Sequence, residues 1–263
     1  GAGMLDVKKA LDEADGDAEK AIEIIRVKGL KGIAKREGRS ATAGLIAAKV
    51  VEDGGSQVGV LVEVNAETDF VAKNEKFIDF AAKVLDAAIA SGAQTAEELA
   101  EAAADGGSVK ELTDSMQAVI GEKIVVRRVA RLAAPRVDTY LHRTNPDLPA
   151  QVAVLVGTDE AAAEVAHDIA MHIAAYSPLY LAREDVPEET VAKERAIAEE
   201  TTRAEGKPEK AIPKIVEGRL SGFFKENVLV DQAFAKDPKT TVGKVVEATG
   251  GELTGFVRFR VGA

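Results

Sequence analysis

The chain has 263 residues, enough for one or two folded cores, and its 34 basic and 44 acidic residues give a formal net charge of −10 at pH 7. This acidity disfavours direct binding to nucleic acid, whose phosphate backbone attracts a basic surface, and an aromatic content of 4% without Trp disfavours a base-stacking platform. The sequence contains no Cys, which excludes disulfides and thiolate chemistry. It has no apolar run of membrane-spanning length and no charged-then-apolar leader, so neither a membrane span nor a signal peptide is predicted. These features suit a cytoplasmic protein.

Two short helices are predicted near the start of the chain, at 4–14 and 17–28, and Asp17 is a suitable N-cap for the second. Two such helices enclose only a thin core, so we expect a third helix or a docking surface to complete them. Met4 and Leu5, at the start of the first helix, either belong to that core or contact a partner, and spacing leaves both interpretations open.

A basic, glycine-punctuated stretch follows at 29–40. Charge runs of this kind are usually solvated, so we predict a flexible tether between the two helices and the rest of the chain rather than an RNA site. Because Gly1 is not an initiator Met, we also expect that the numbered chain lacks some native N-terminal residues.

A β-hairpin is predicted from residue 41 onwards, where the apolar spacing changes to a period of two. Its strands are 44–51 and 57–64, and a glycine-containing turn joins them. Three helices and a third strand are predicted next, at 74–91, 95–104, 109–120 and 123–130.

The same order of elements is predicted again in the second half of the chain. Strands at 136–143 and 151–157 form a second hairpin, and a helix at 158–175 follows with Thr158 as its N-cap. A closing strand at 255–261 is similar in its apolar and basic alternation to the third strand of the first unit. Two hairpin-based units with helices on one face predict an α+β fold with antiparallel sheets.

A charged insertion at 183–227 separates the second unit's helix from its closing strand. One helix is predicted from Pro187 to about Glu205, and a second helix ends at about Lys225. Both helices share only a narrow apolar seam, so we predict an antiparallel coiled-coil hairpin that stands off the body of the protein.

Motifs of covalent catalysis are absent from the sequence, which has no glycine-rich phosphate loop, no HExxH and no nucleophile elbow. The three histidines are His142, His167 and His172, and the last two lie five positions apart on a predicted helix, roughly 140° apart around its axis. These two side chains therefore cannot face one metal ion together. We predict no metal site, no cofactor and no enzymatic bond-making.

The turn between the first hairpin and its helix has two interpretations. If the helix begins near Thr68, that residue is its N-cap and Phe70 extends the buried stripe that contains Phe77. If Asn74 caps the main helix instead, Asp69 and Phe70 lie outside it and can be presented to a partner. Spacing alone favours the first interpretation.

Seven residues of this turn resemble the signature of the bacterial elongation factor Ts family: Thr68, Asp69, Phe70, Val71, Ala72, Lys73 and Asn74. Residues 1–6 resemble part of that family's N-terminal helical domain, and 167–172, 216–219 and 255–259 resemble three further motifs. The resemblance spans the whole chain, and because the heptapeptide is highly specific, it favours presentation of Asp69 and Phe70 over burial.

The resemblance implies a small, UBA-like helical N-terminal domain, a core of two related sheet-and-helix subdomains, and an inserted coiled-coil hairpin. We place the N-terminal domain and its linker at 1–40, the first core subdomain at 41–134, the second at 135–182 and 228–263, and the coiled coil at 183–227. Compared with the family pattern, we expect the first helix of the N-terminal domain to be missing, as well as a helical module that follows the last strand in some relatives.

The resemblance also implies a function, which is nucleotide exchange on elongation factor Tu, a protein GTPase. Family members insert an Asp-Phe pair, here Asp69 and Phe70, between helices of the partner's GTPase domain and displace the elements that hold magnesium and the phosphates. The partner alone then binds nucleotide and magnesium, and neither nucleic acid nor a membrane is contacted directly. Further partner contacts are expected by similarity at Met4, Leu5, Ile120, Gly121 and His142.

The main alternative is a helical-hairpin scaffold or adaptor protein without exchange activity. An RNA-binding translation factor that uses the basic stretch at 29–40 is disfavoured by the acidic net charge. Release of fluorescent GDP from a loaded GTPase distinguishes an exchange factor from both alternatives.

Overall fold

Residues 3–263 are described by a computed structural model, whereas Gly1 and Ala2, with which the 1–6 motif and the predicted 1–40 domain begin, lie outside the described residues. The α-helices of the described chain are α1 (Met4–Glu13), α2 (Ala18–Arg36), α3 (Asp69–Ala72), α4 (Glu75–Ser91), α5 (Ala96–Glu101), α6 (Val109–Ile120), α7 (Ala163–Tyr176), α8 (Glu188–Ala204), α9 (Ile212–Asn227) and α10 (Val242–Glu247). Its strands are β1 (Ala43–Asp53), β2 (Ser56–Ala66), β3 (Ala103–Ala104), β4 (Gly107–Ser108), β5 (Val125–Ala134), β6 (Arg136–His142), β7 (Val152–Thr158), β8 (Ala233–Phe234), β9 (Asp237–Thr241) and β10 (Leu253–Arg260). Helices combined with antiparallel sheets confirm the predicted α+β class.

The first sheet has the strand order β1–β2–β5, and its neighbouring strands are antiparallel. The predicted first hairpin is confirmed, and the turn that joins its strands contains Gly54 and Gly55, whose positive φ values of 56° and 90° suit glycine in a tight turn. Phe77, Phe80 and Val84 on α4 are buried in the core that covers one face of this sheet. Helix α4 is therefore fixed against the sheet from which the signature turn leaves.

The second sheet repeats this arrangement with the order β10–β7–β6, so the second strand of a hairpin lies in the centre of both sheets. Helices α7 and α10 cover one face of the second sheet through a core that includes Ile169, Ile173 and Val246. The predicted second hairpin and its closing strand are thus confirmed, and the shared topology agrees with the weak internal similarity of the sequence.

The two sheets pack against each other through the faces that their helices leave free. Leu61 of β2, Leu155 of β7 and Phe259 of β10 lie in this shared apolar layer. Gly59 permits close approach of the sheets, because a Cβ at that position would lie 2.8 Å from side-chain atoms of both Leu155 and Val137. Strands β2 and β7 are consequently buried on both sides, which explains their nearly continuous apolar sequences.

The prediction of a flexible linker at 29–40 is wrong for most of these residues, because α2 continues to Arg36. Gly29 allows α2 to pack closely on α6, since a Cβ there would lie 2.7 Å from the Cβ of Ala118. The guanidinium group of Arg36 also donates a hydrogen bond to the carbonyl oxygen of Gln117 at 3.3 Å. The third helix expected beside the N-terminal pair is therefore α6, and the pair is docked rather than loosely tethered.

Two helix boundaries differ from the predictions. Thr158, predicted as an N-cap, is instead the fully buried last residue of β7. Helix α7 begins only at Ala163, after a turn in which the side chain of Asp159 accepts a hydrogen bond from the backbone N–H of Ala162 at 2.9 Å. The helix predicted before α6 also ends early, because the chain forms the short β3–β4 hairpin there.

The insertion consists largely of α8 and α9, which pack against each other through Ala198, Ile212 and Val216. At its base, the backbone N–H of Leu229 donates a hydrogen bond to the carbonyl oxygen of Tyr180 at 2.8 Å. The chain therefore leaves and re-enters the second sheet unit at neighbouring positions.

Candidate functional site

The Phe70 turn (residues 67–74) contains two helix starts in succession. Thr68 is the N-cap of α3, where its hydroxyl oxygen accepts a hydrogen bond from the backbone N–H of Val71 at 3.4 Å. Asn74 is the N-cap of α4, where its side-chain oxygen accepts from the N–H of Lys76 at 2.9 Å. Because the backbone is extended at Asn74, α3 and α4 are separate helices, and the signature pair lies outside the main helix.

Phe70 is 78% exposed, whereas Phe77 of α4 is 0% exposed. The seven-residue spacing between these two rings does not mark one buried stripe, because two separate helices contain them. Asp69 is exposed beside Phe70, and the ammonium group of Lys73 lies 5.3 Å from the centroid of the Phe70 ring. A Phe this exposed gains little from burial on folding, and its ring is accessible to another molecule.

Both ends of the Phe70 turn are anchored. At its start, Glu122 accepts hydrogen bonds from the backbone N–H groups of Glu67 and Thr68, both at 3.1 Å, and from the Thr68 hydroxyl at 2.8 Å. Beyond Phe70, Ala72 is fully buried and Val71 packs against the first core. The exposed ring therefore projects from a turn with a defined backbone position.

Two residues predicted to lie at the partner surface, Ile120 and Gly121, directly precede Glu122 and so lie beside the Phe70 turn. Ile120 ends α6 and packs partly against the first core, while Gly121 is exposed as the C-cap with a φ of 80°. A side chain would be strained at this φ, which explains the glycine. Gly121 therefore exposes its backbone directly before Glu122, the residue that binds the start of the Phe70 turn.

Met4 and Leu5 are 90% and 64% exposed at the start of α1. The buried residues between α1 and α2 are small instead, namely Ala10, Ala14 and Ala21. Of the two interpretations that spacing left open, membership of the core is therefore wrong, and contact with a partner stays a prediction.

His142 is the exposed last residue of β6, in the second sheet. Gln151 links the two sheets at this point. Its backbone N–H donates a hydrogen bond to the carbonyl oxygen of His142 in the second sheet at 2.9 Å, and its side-chain amide donates to the carbonyl oxygen of Gly44 in the first sheet at 2.8 Å. Gly44 pairs with Asn65 at the end of β2, from which the Phe70 turn leaves. His142 thus lies at the same end of the molecule as that turn, although on another element.

A groove of about 650 Å³ opens beside His142 and is lined in part by Met171 and His172. The His172 ring is fully buried, its Nδ1 accepts a hydrogen bond from the backbone N–H of Ala235 at 3.1 Å, and its Nε2 lies 2.8 Å from the side-chain oxygen of Gln232. These partners select the neutral ring with its proton on Nε2. Burial lowers the pKa of His172, against a smaller opposing effect of the hydrogen bond to Gln232.

Within residues 3–263, no group of three or more His, Asp or Glu side chains is placed to hold a metal ion. Over the same part of the chain, no helix combines the length and apolarity that crossing a bilayer requires. The exposed groups in this region are the Phe70 ring, the neighbouring carboxylate of Asp69 and the backbone of Gly121.

Comparison with known proteins finds close similarity over the full length. The family model described as elongation factor TS matches residues 67–263. The chain is 69% identical to an elongation factor Ts of Beutenbergia cavernae, in an alignment that covers 100% of this chain and 94% of that protein. Proteins with the same description from Micrococcus luteus and Renibacterium salmoninarum are 63% and 62% identical, again with 100% of this chain and 94% of each relative covered.

Proposed function

The chain belongs to the elongation factor Ts family and is a translation elongation factor, and we propose that it acts as a guanine nucleotide exchange factor for elongation factor Tu. It binds the GTPase in its GDP-bound form and accelerates the release of GDP, after which GTP rebinds. The observation that carries this proposal is the exposure of Phe70 on a turn that is anchored at both ends.

In the proposed mechanism, Asp69 and Phe70 enter the partner's GTPase domain as a wedge and displace the elements that hold magnesium and the phosphates. Removing the Phe70 ring from water at that moment contributes stabilisation that the free protein does not have, because the ring is 78% exposed there. Because insertion of the wedge weakens the binding of nucleotide to the GTPase, bound nucleotide weakens the binding of this chain to the GTPase by the same factor. GTP at high concentration can therefore displace the factor.

The proposed roles involve no covalent chemistry and no cofactor of this chain. The partner alone binds nucleotide and magnesium, and the chain contacts neither nucleic acid nor a membrane directly and acts in the cytoplasm. The rest of the turn sets the shape of the wedge, and further contacts with the partner come from Met4, Leu5, Ile120, Gly121 and His142. The exposure of Met4 and Leu5, and the position of Gly121 beside the turn, support these assignments.

We propose the same division of the chain that the sequence predicts, with a UBA-like N-terminal domain at 1–40, core subdomains at 41–134 and at 135–182 with 228–263, and a coiled coil at 183–227. The strand order of the two sheets supports the pair of core subdomains. The packing of α8 on α9 supports the coiled coil. Docking of α2 on α6 indicates that the N-terminal domain shares a surface with the first subdomain.

Release of fluorescent GDP from preloaded elongation factor Tu tests the proposed function. Adding this chain should accelerate release, and the rate should saturate as its concentration rises. A chain that binds the GTPase without changing the release rate would be an adaptor or scaffold, and that result would overturn the proposal.

A further inference from the structure

At the base of the Phe70 turn, two chain segments are joined by a pair of glutamates, and each glutamate accepts hydrogen bonds from the backbone of the other segment. Glu122, after α6, accepts hydrogen bonds from the backbone N–H groups of Glu67 and Thr68 at 3.1 Å and from the Thr68 hydroxyl at 2.8 Å. In the opposite direction, the carboxylate of Glu67 accepts a hydrogen bond from the backbone N–H of Lys123 at 2.7 Å. We call this reciprocal arrangement the Glu67–Glu122 clasp.

The clasp connects segments that are distant in sequence, since Thr68 and Glu122 are 54 positions apart. Hydrogen bonds to ionised carboxylates are stronger than those between neutral groups, and the bonds to Glu122 and the Lys123 bond to Glu67 are partly shielded from water. Arg39, just beyond α2, supplies a counter-charge at 3.3 Å from Glu67, whose side chain is only 19% exposed. Three parts of the chain therefore meet at the base of the turn.

Helix α3 needs such support because it has only four residues. An isolated helical turn is unstable in water, since nucleation fixes several backbone dihedrals for a single hydrogen bond. The Phe70 ring cannot hold the turn in place, because it is exposed rather than packed. The conformation that presents Phe70 consequently depends on the clasp together with the burial of Ala72.

We propose that Glu122 is a positioning residue for nucleotide exchange, which acts with Glu67 to hold the Phe70 turn in its presenting conformation before a partner arrives. This inference rests on the proposed function, because positioning matters only if Phe70 meets the GTPase. If the clasp is lost, a smaller fraction of molecules presents Phe70, and the apparent dissociation constant rises by the inverse of that fraction. The bound complex still reaches the same geometry, so the saturated release rate is retained.

The structural part of the proposal is tested by amide hydrogen exchange on the free protein. In Glu122→Ala, the backbone amides of Glu67 and Thr68 should exchange at least about tenfold faster, because they lose their acceptor, while that of Val62 inside β2 should keep its protection. The matched control is Glu101→Ala, which removes one exposed carboxylate at the end of α5 and should leave all three amides unchanged.

The functional part is tested by GDP release from preloaded elongation factor Tu at increasing concentrations of each variant. If about one Glu122→Ala molecule in ten presents Phe70, half-maximal release requires about tenfold more protein, with a saturated rate within about twofold of the unmodified chain. Glu122→Gln keeps an acceptor oxygen in place and should recover most of the lost apparent affinity. Phe70→Ala should show the opposite pattern, a reduced rate at saturation.

The proposal would be overturned if the Glu67 and Thr68 amides of Glu122→Ala exchanged at the unmodified rate. It would also be overturned if Glu122→Ala and Glu101→Ala reached half-maximal GDP release at the same concentration of folded protein. If Glu122→Ala does not fold, Glu122→Asp withdraws the carboxylate by one methylene and is subject to the same two criteria. Failure of the proposed function is distinguishable, because the unmodified chain would then not accelerate GDP release, whereas amide exchange would still report on the clasp.

Discussion

At the scale of single residues, short-range backbone geometry decides which side chains are buried. Phe70 and Phe77 have the spacing of one helical face, yet the N-cap at Asn74 separates them into two helices, and only Phe77 enters the core. Whereas the apolar ring of Phe70 is exposed, the polar ring of His172 is fully buried. Both of its nitrogens are hydrogen-bonded there, one to Gln232 and the other to the backbone of Ala235.

The two phenylalanines should therefore respond differently to truncation. Phe70→Ala should change the free energy of unfolding by no more than roughly 0.5 kcal/mol, because the ring is exposed. Phe77→Ala should cost about 3–5 kcal/mol, since it leaves a cavity in the first core. Urea denaturation of both variants measures the difference, and similar losses in the two would show that Phe70 supports the fold.

His172 should make stability depend on pH. Burial lowers its pKa below the ordinary value of 6.5, so the unfolded chain binds a proton at a higher pH than the folded chain. The free energy of unfolding should therefore fall as the pH drops below about 6.5, until the folded state also becomes protonated. Urea denaturation between pH 7.5 and about 5 should show this decline. It should be weaker in His172→Gln and retained in His167→Gln, which changes an exposed histidine of the same helix.

At the scale of elements, prediction from the sequence succeeds where local spacing decides the structure. The β1–β2 hairpin follows from its period-two pattern and glycine turn, and the extent of α6 is predicted to the residue. Prediction fails where distant contacts decide, since α2 extends through 29–36 by packing on Ala118, and Thr158 remains in β7.

In the candidate site too, the features set by contiguous residues are predicted from the sequence, whereas those set by distant contacts are not. Its heptapeptide is recognised from the sequence because its residues are contiguous and specific. Glu122 is missed, because a single Glu after a helix-ending glycine has no periodic signal and its contact with Thr68 spans 54 positions. Exposure of Phe70 is likewise decided by the break between α3 and α4, which spacing alone does not predict.

The insertion should be dispensable for the fold of the remainder. Its two ends meet where Leu229 binds the backbone of Tyr180, and its internal seam is small. Replacing 183–227 with a short Gly/Ser linker should preserve a single cooperative thermal transition. A shortened chain that is insoluble or loses its cooperative transition would show that α8 and α9 belong to the core.

At the scale of the whole molecule, two sheets are joined by an apolar layer and by one buried charge. Glu63 of β2 is fully buried, and its carboxylate accepts hydrogen bonds from Arg128 of β5 at 2.7 Å and from the backbone N–H of Gly262, after β10, at 2.9 Å. Arg128 also donates to the carbonyl oxygen of Arg260 at 3.0 Å. The end of the chain is thereby attached to the first sheet, close to the strand that leads into the Phe70 turn.

Removing this buried carboxylate should destabilise both sheets together. Glu63→Ala leaves Arg128, whose side chain is 33% exposed, and the backbone N–H of Gly262 without their carboxylate acceptor, and the loss of such an acceptor typically costs about 1–3 kcal/mol. Glu52→Ala, at an exposed position near the end of β1, is the control and should cost less than about 1 kcal/mol. Scanning calorimetry should show one transition shifted to lower temperature in Glu63→Ala. Two separate transitions would mean that the sheets unfold independently.

In the proposed mechanism, Phe70 is the wedge through which this chain accelerates nucleotide release. The most direct test is the GDP release rate from elongation factor Tu at saturating concentrations of the unmodified chain and of Phe70→Ala, with the folded fraction of each measured in parallel. Release should be at least about tenfold slower with Phe70→Ala, equivalent to about 1.4 kcal/mol of lost transition-state stabilisation, while the variant remains folded. Release at the unmodified rate per folded molecule would contradict the proposed mechanism.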